Sequence, residues 1–163
     1  MRWKVAILTA SDRGARGERE STSALVIREL IEEELQGEIV EDRVVPDEMD
    51  EVMAALIEMC DYYHADLILT TGGAGIRPRD ITPEATKNVL EREAAGFPEI
   101  IRAYETAKGR NAVSFRGTAG LRGQTLIINL PNTPKGVSDA MLAIMKELDT
   151  VLQHIHGEES MEE

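Results

Sequence analysis

Residues 67–86, LILTTGGAGIRPRDITPEAT, contain the pattern of a strand, a loop and the start of a helix. The apolar run at 67–69 is continuous rather than alternating, which is typical of a strand covered on both faces. Three closely spaced glycines follow it: Gly72, Gly73 and Gly75. Thr82 then predicts a helix cap, with Pro83 in the first helical position, where a missing N–H group costs nothing. A buried strand that leads into a helix favours an α/β fold.

The same alternation runs through the rest of the chain. Continuous apolar runs predict further buried strands at 3–9 and 125–130, and the partly alternating run at 38–45 predicts a strand nearer the sheet edge. Helical spacing of apolar residues predicts helices that begin near Ser21, Pro46, Thr82, Pro98 and Lys135. We expect the polar, glycine-containing stretches 11–20 and 112–123 to be irregular. The sequence therefore predicts a mostly parallel sheet with helices on both faces.

Composition limits the classes of function. Of 163 residues, 42% are hydrophobic, which is enough for one core; we assign a domain to 1–156 and expect the acidic stretch 157–163 to be disordered. The net charge of -12 argues against a broad nucleic-acid face or an anionic membrane partner. The N-terminus lacks a signal-peptide pattern and no apolar stretch could span a bilayer, so we expect a cytoplasmic protein. Cys60 is the only cysteine, which excludes an intrachain disulfide and a Cys-rich zinc site.

The residues capable of chemistry follow the predicted strands. Because the strand-to-helix loops of parallel strands leave from one edge of the sheet, we expect these residues to meet in one crevice. They are Ser11, Asp12, Arg13, Asp47, Arg77, Arg79, Asp80 and Lys135. Glycines let backbone N–H groups approach phosphate oxygens, and aspartates supply the hard oxygen ligands that Mg²⁺ prefers. The pattern therefore predicts a site that holds phosphates and a divalent metal ion.

Structural alternatives exist for each of these residues. The glycine stretch matches neither the Walker loop nor the dinucleotide-binding loop, so the glycines could simply turn the chain. Asp47 could cap a helix and Asp12 could cap a turn. Asp80 could instead form an ion pair with Arg77 or Arg79. From these residues alone, ligand binding and local structure remain alternatives.

Other polar residues give weaker signals. His154 and His156 lie two apart on a predicted helix and therefore point in different directions, so we expect both to be exposed rather than a metal pair. Cys60 shares a helix face with apolar residues and is expected to be inert. The sequence does not decide whether Arg116 and Arg122 are surface charges or site residues.

Five motifs occur in a characteristic order. They are LTASDR (8–13), VPDE (45–48), TTGGAG…RDITPEAT (70–86), GFPE (96–99) and INLPNTPK (128–135). Together they resemble the MogA/MoaB-type family of molybdenum-cofactor biosynthesis proteins, and the likeness spans residues 3–152. The resemblance implies a three-layer α/β/α fold and usually a homotrimer.

The resemblance also implies an activity. Enzymes of this family are molybdopterin adenylyltransferases: with Mg²⁺, they transfer AMP from ATP to the terminal phosphate of molybdopterin and release pyrophosphate. The product then receives molybdate from a partner protein. Asp47 and Asp80 match the family's catalytic, metal-binding aspartates. The expected nucleotide- and pterin-binding set comprises Ser11, Asp12, Gly72, Gly73 and Gly75, to which we add Arg79, Asn129 and Lys135 from the third and fifth motifs.

Two departures from the family pattern keep alternatives open. Ala74 stands where many members have threonine, and Asn132 stands where many have glycine. A non-catalytic pterin-binding or scaffold protein of the MoaB type is therefore the second hypothesis. A generic nucleotide-binding regulator would explain the glycines but not five ordered motifs.

Overall fold

A computed structural model of the chain describes residues 2–110 and 112–157. The strands are β1 (Lys4–Ala10), β2 (Glu38–Val45), β3 (Leu67–Thr71), β4 (Arg92–Glu93), β5 (Ala119–Arg122) and β6 (Thr125–Asn129). The α-helices are α1 (Asp12–Ala15), α2 (Thr22–Leu30), α3 (Met49–Asp61), α4 (Thr82–Val89), α5 (Gly96–Ala107) and α6 (Pro134–Ile155). A π-helical turn, Ile31–Leu35, extends α2, and a 3₁₀ turn spans Ala112–Ser114. Apart from Gly157, the tail expected to be disordered lies outside the described residues.

The six strands form one sheet in the order β2-β1-β3-β6-β5-β4. The first four strands in this order are parallel, whereas β5 is antiparallel to β6 and β4 is antiparallel to β5. The predicted mostly parallel sheet is confirmed, and so is the position of β2 at an edge. The prediction that 112–123 would be irregular is wrong in part, because β5 lies within it.

Two hydrophobic cores cover the two faces of the sheet. Val5 and Ile7 of β1 face the core formed with α2, α5 and α6, while Ala6 and Leu8 face the core formed with α3 and α4. Successive side chains of a strand point to opposite faces, so a strand between two cores carries consecutive rather than alternating apolar residues. The three-layer α/β/α fold is confirmed.

The stretch 11–20 contains more structure than expected. Ser11 caps the four-residue helix α1, and its Oγ accepts a hydrogen bond from the Gly14 backbone N–H at 3.0 Å. Ser21 caps α2 in the same way, through the N–H of Ala24 at 3.1 Å, as the sequence predicts. Across the described part of the chain, no helix is long and apolar enough to cross a membrane.

Candidate functional site

A cavity of about 190 Å³ lies at the carboxyl edge of the parallel strands. Its lining includes Ser11, Asp47, Gly72, Gly73, Arg77 and Asp80, together with Arg19 and Ser21. Residues that are far apart in sequence thus meet where β1, β2 and β3 end, as expected from a parallel sheet. Arg19 and Ser21 were not among the predicted site residues, because nothing in their local sequence marks them.

The three glycines of the loop at residues 72–80, which we call the glycine loop, have different roles. Gly72 and Gly73 have backbone φ angles of 89° and 73°, in the region that favours glycine. A side chain on Gly72 would overlap the Ala10 carbonyl oxygen of the neighbouring strand. Gly75 is not left-handed; a Cβ atom there would lie 2.7 Å from Asp80 Oδ2. Only at Gly75, therefore, would a side chain press mainly on a carboxylate of the site.

Thr82 holds the glycine turn instead of capping α4. Its Oγ1 donates a hydrogen bond to the Gly72 carbonyl at 2.9 Å, and its backbone N–H donates to the Gly73 carbonyl at 3.0 Å. The residue at the cap position is Ile81, which has no side-chain hydrogen bond to the helix. The predicted capping role of Thr82 is therefore wrong, and its hydroxyl ties the start of α4 to the glycine loop.

Asp80 closes the far end of the glycine loop. Its Oδ2 accepts a hydrogen bond from the Arg77 backbone N–H at 2.9 Å, while its own N–H donates to the Arg77 carbonyl at 2.9 Å. Neither Arg77 nor Arg79 forms the ion pair with Asp80 that the sequence left open, and no other cation of the described residues does so. Its carboxylate thus lines the cavity without a cationic partner among them.

Asp47 and Asp12 hold each other in place. The Asp12 backbone N–H donates to Asp47 Oδ2 at 3.1 Å, and the Asp47 N–H donates to Asp12 Oδ1 at 3.0 Å. Arg79 then donates to both Asp12 oxygens, at 2.7 and 3.0 Å, and to Glu48 at 2.9 Å. Asp12 and Arg79, which were expected to contact ligand, are thus engaged with each other and position Asp47.

The electrostatics of the two neighbouring aspartates differ. Hydrogen bonds from Arg79, and then from the Asp47 backbone, lower the pKa of Asp12 to about 2. Burial raises the pKa of Asp47, and the charges of Asp12 and Asp80 raise it further, although the Asp12 backbone hydrogen bond offsets part of this effect. A half-buried carboxylate that is repelled by its neighbours favours binding of a cation.

Asn129 and Lys135 do not line this cavity. Asn129 is fully buried: its Oδ1 accepts from the Thr118 N–H at 3.1 Å, and its Nδ2 donates to Thr70 and Thr86 hydroxyls at 2.9 and 3.0 Å. Its side chain therefore joins strands β6 and β3 to α4 instead of facing ligand. Lys135 is exposed in the first turn of α6.

A second cavity of about 390 Å³ adjoins the first. Its walls include Ala74, Gly75, Phe115 and Pro131, and it shares Asn132 with the first cavity. Asn132 Oδ1 accepts a hydrogen bond from the Ala74 backbone N–H at 3.3 Å. The two positions that depart from the family pattern therefore contact each other, and the asparagine side chain supports the glycine loop.

The two aspartates of the first cavity fit a metal ion that is shared with substrate. Across the residues that the structure describes, no group of three or more His, Cys, Asp or Glu side chains could hold a metal ion. Mg²⁺ commonly binds through one or two carboxylates plus substrate phosphates. Asp47 and Asp80 meet that requirement, since both line one cavity and neither has a cationic partner among these residues.

Comparison with known proteins identifies the family of the chain. The family model described as "Probable molybdopterin binding domain" matches residues 6–150. A molybdopterin adenylyltransferase of Helicobacter pylori is 38% identical over 94% of this chain and 88% of its own length. Another from Pyrococcus furiosus is 40% identical over 93% of this chain and 90% of its own.

Solved structures show the same relationship. The molybdopterin biosynthesis enzyme MoaB of Thermus thermophilus is 42% identical and superposes with a TM-score of 0.89, covering 95% of this chain and 97% of that one. The resemblance drawn from the five motifs is confirmed. This chain belongs to the molybdopterin-binding domain family of the MogA/MoaB type.

Proposed function

We propose that this protein is a molybdopterin adenylyltransferase that requires Mg²⁺ and transfers AMP from ATP to the terminal phosphate of molybdopterin. The observation that carries the proposal is the cavity in which Asp47 and Asp80 lie beside the glycine loop with no cationic partner among the described residues. The names of the Helicobacter and Pyrococcus relatives support the same activity.

The chemistry requires little from the protein beyond positioning and charge. An oxygen of the molybdopterin phosphate attacks the α-phosphorus of ATP, the bond from that phosphorus to the bridging oxygen breaks, and pyrophosphate leaves with the bonding electrons. A phosphate nucleophile is already ionised at neutral pH, so no general base is needed. The main barrier is repulsion between two anions, which positive charge and N–H donors reduce.

Each residue then has a role that its contacts support. Asp47 and Asp80 would hold Mg²⁺, and the chemistry that this ion supplies when bound is charge neutralisation on the phosphates. Asp12 orients Asp47 through their paired hydrogen bonds. Arg19 and Arg77, which also line the cavity, offer positive charge to phosphate oxygens.

The adjoining cavities suit a ligand with two parts. The first is lined by hydroxyl and arginine side chains, which suit phosphates, and by two carboxylates, which suit a divalent cation bound to those phosphates. The second has flat or small apolar walls at Phe115, Pro131 and Ala74, which suit a ring system such as a nucleobase or a pterin. Both substrates combine phosphate with such a ring, so the pair of cavities supports the proposal.

A non-catalytic molybdopterin-binding protein is the second candidate, and the departures at Ala74 and Asn132 favour it. Their hydrogen bond, however, keeps the glycine loop supported, which favours the enzyme. As an enzyme, the protein would act in the cytoplasm as a homotrimer and pass its product to a molybdate-inserting partner. Light scattering at micromolar concentration tests the trimer, and a monomeric mass would contradict it.

The deciding experiment incubates the purified protein with molybdopterin, Mg²⁺ and ATP labelled in its α-phosphate. We expect labelled adenylyl-molybdopterin and pyrophosphate, and loss of both when the metal ion is chelated. A matched reaction with Asp80→Asn controls for contaminating activity. Tight binding of molybdopterin without any product would favour the scaffold instead.

A further inference from the structure

We propose that Arg116 is a positioning residue that fixes the glycine loop and, through it, the carboxylate of Asp80. Its consequence for catalysis rests on the proposed function, whereas its effect on the loop does not. Arg116 lies in the segment between α5 and β5, outside the five motifs, and the sequence alone did not distinguish it from a surface charge.

The Arg116 side chain donates hydrogen bonds to two backbone carbonyls of the glycine loop. Its Nε donates to the Gly75 carbonyl at 2.6 Å and its Nη2 donates to the Asp80 carbonyl at 2.9 Å. The Arg116 backbone N–H donates to the Ala74 carbonyl at 2.8 Å. One residue therefore spans the loop from the glycine turn to the aspartate.

Glu84 holds the guanidinium in this position. The two side chains form a bidentate pair, with distances of 2.8 and 3.0 Å from Arg116 Nη1 and Nη2 to the Glu84 oxygens. Glu84 lies in the first turn of α4, so the pair also ties the loop to that helix. An ordinary surface ion pair would account for the Glu84 contacts but not for the two carbonyl contacts.

The contacts connect Arg116 to the Asp80 carboxylate through the backbone. Arg116 fixes the Asp80 carbonyl, and the Asp80 N–H and Oδ2 are both fixed by the Arg77 main chain. Release of the carbonyl would let this turn rotate and move the carboxylate away from Asp47. Arginine is required because its planar fork donates in several fixed directions at once, whereas lysine is a compact point charge.

The test compares Arg116→Lys with Arg122→Lys. Arg122 is a close match, because it forms a bidentate contact with Asp61 and also donates to the Val89 carbonyl. It lies at the amino ends of the parallel strands, away from the glycine loop. Their side chains are 37% and 28% exposed. If a change in loop exchange or in activity came only from replacing a half-buried arginine, both variants would therefore show it.

The first readout is hydrogen–deuterium exchange of the peptide that spans residues 72–82, which needs no substrate. We expect faster exchange in Arg116→Lys and unchanged exchange in Arg122→Lys, because only the former releases the loop. Glu84→Gln leaves the carbonyl contacts intact and should give a smaller increase, and it serves as the second variant if Arg116→Lys does not fold. Unchanged exchange in both Arg116→Lys and Glu84→Gln would overturn the proposal.

The second readout is AMP transfer. Misplacing a catalytic group by about 1 Å costs about 10²-fold in rate, so kcat of Arg116→Lys should fall by about that factor while KM for ATP changes little. An equal fall in Arg122→Lys, or an unchanged kcat in Arg116→Lys despite a loosened loop, would overturn the positioning role. Absence of transfer in the wild type would overturn the proposed function, and the exchange data would still decide whether Arg116 holds the loop.

Discussion

Cavities lined by titratable groups lie at both ends of the parallel strands, which we call the amino edge and the carboxyl edge of the sheet. The larger cavity is at the amino edge, away from Asp47 and Asp80. At the amino edge, a cavity of about 590 Å³ includes Cys60, Asp61, His64, Asp66, Arg122 and His156 in its lining. At the carboxyl edge, the cavity that holds Asp47 and Asp80 measures about 190 Å³. Cavity volume alone would therefore select the edge that lies away from these two aspartates.

Several titratable groups that line the amino-edge cavity are paired with one another. At the amino edge, Arg122 pairs with Asp61 at 3.0 Å and His156 lies 3.2 Å from Asp66. The prediction that His156 would be exposed is wrong, because its side chain is 22% exposed and its ring lies 5.5 Å from that of Trp3. These contacts fasten the end of α6 to the sheet.

Cys60, also at the amino edge, behaves as the sequence predicts. Burial raises the pKa of its thiol to about 11, so the reactive thiolate is scarce at neutral pH. At the carboxyl edge, by contrast, Asp47 and Asp80 lack cationic partners among the described residues. We propose that carboxylates without an ion-pair partner mark the site at the carboxyl edge, and the predictions below test this difference.

Asp80→Asn should have the largest effect. It removes one of the two carboxylates, so we expect AMP transfer to fall about 10²- to 10³-fold. The asparagine retains an oxygen that can accept the Arg77 N–H, so thermal stability should change little. Asp61→Asn, which removes an acid at the amino edge, should leave transfer unchanged. Wild-type turnover in Asp80→Asn would sink the assignment, and a collapsed melting temperature would indicate a structural role.

Gly75→Val should come next. The new side chain would meet Asp80 Oδ2, which a Cβ atom approaches to 2.7 Å, while the backbone at this position is not left-handed. We therefore expect a folded protein whose rate of AMP transfer falls about 10²-fold, since the carboxylate is displaced. Full activity in a folded variant would show that Gly75 does no more than turn the chain.

Gly72→Ala should instead lose stability. A left-handed φ costs an alanine about 1–2 kcal/mol, and the methyl group would also overlap the Ala10 carbonyl. Gly123→Ala is the matched control, because Gly123 has a φ of 58° but open space around its Cβ position. Urea denaturation should show a larger loss for Gly72→Ala, and equal losses would contradict the close approach to β1.

The pH dependence of stability should have opposite signs for Asp47 and Asp12. Because the folded pKa of Asp47 is raised, its ionised form costs stability, and this cost disappears as the pH falls and the carboxyl is protonated. Asp47→Asn should therefore raise the free energy of unfolding at pH 7, and the gain should shrink on acidification.

Asp12 provides the contrasting case. Its pKa of about 2 lies below the unfolded value of about 3.9, so its stabilisation is present above that value and is lost as the pH falls towards 2. Asp12→Asn should lower the free energy of unfolding at pH 7 by an amount that vanishes in acid. Urea titrations of both variants at several pH values measure this, and slopes of equal sign would refute the contrast.

The parallel part of the sheet was predictable because its strands are buried against a core on each face, which gives continuous apolar runs in the sequence. β1, β3 and β6 are buried at nearly every position and each contains a continuous apolar run, which a parallel sheet covered on both faces buries. β4 and β5 escaped prediction because they have two and four residues, too few for a periodic signal, and their pairing depends on long-range contacts.

The site was predictable at the level of topology but not of partners. A parallel sheet brings its strand ends together, so the meeting of Asp47 and Asp80 followed from order alone. The choice of Asp12 and Glu48 as partners of Arg79 depends on side-chain positions in loops 67 and 31 residues away. Asn129 lies in a family motif, but its side chain is buried and donates to the Thr70 hydroxyl. The sequence did not predict this contact, because it too depends on the packing of distant residues.

Arg79→Gln should have the smallest effect, and it tests whether a paired charge beside the site matters less than an unpaired one. Arg79 lies beside the site, yet it is paired like the charges of the amino edge, and its side chain is 56% exposed. Exposed pairs contribute little and are screened by salt. We expect AMP transfer to fall less than about tenfold at low salt, through loosened support of Asp47, and the difference from wild type to shrink in high salt. A loss as large as that of Asp80→Asn, independent of salt, would instead mean that Arg79 leaves Asp12 and contacts substrate directly.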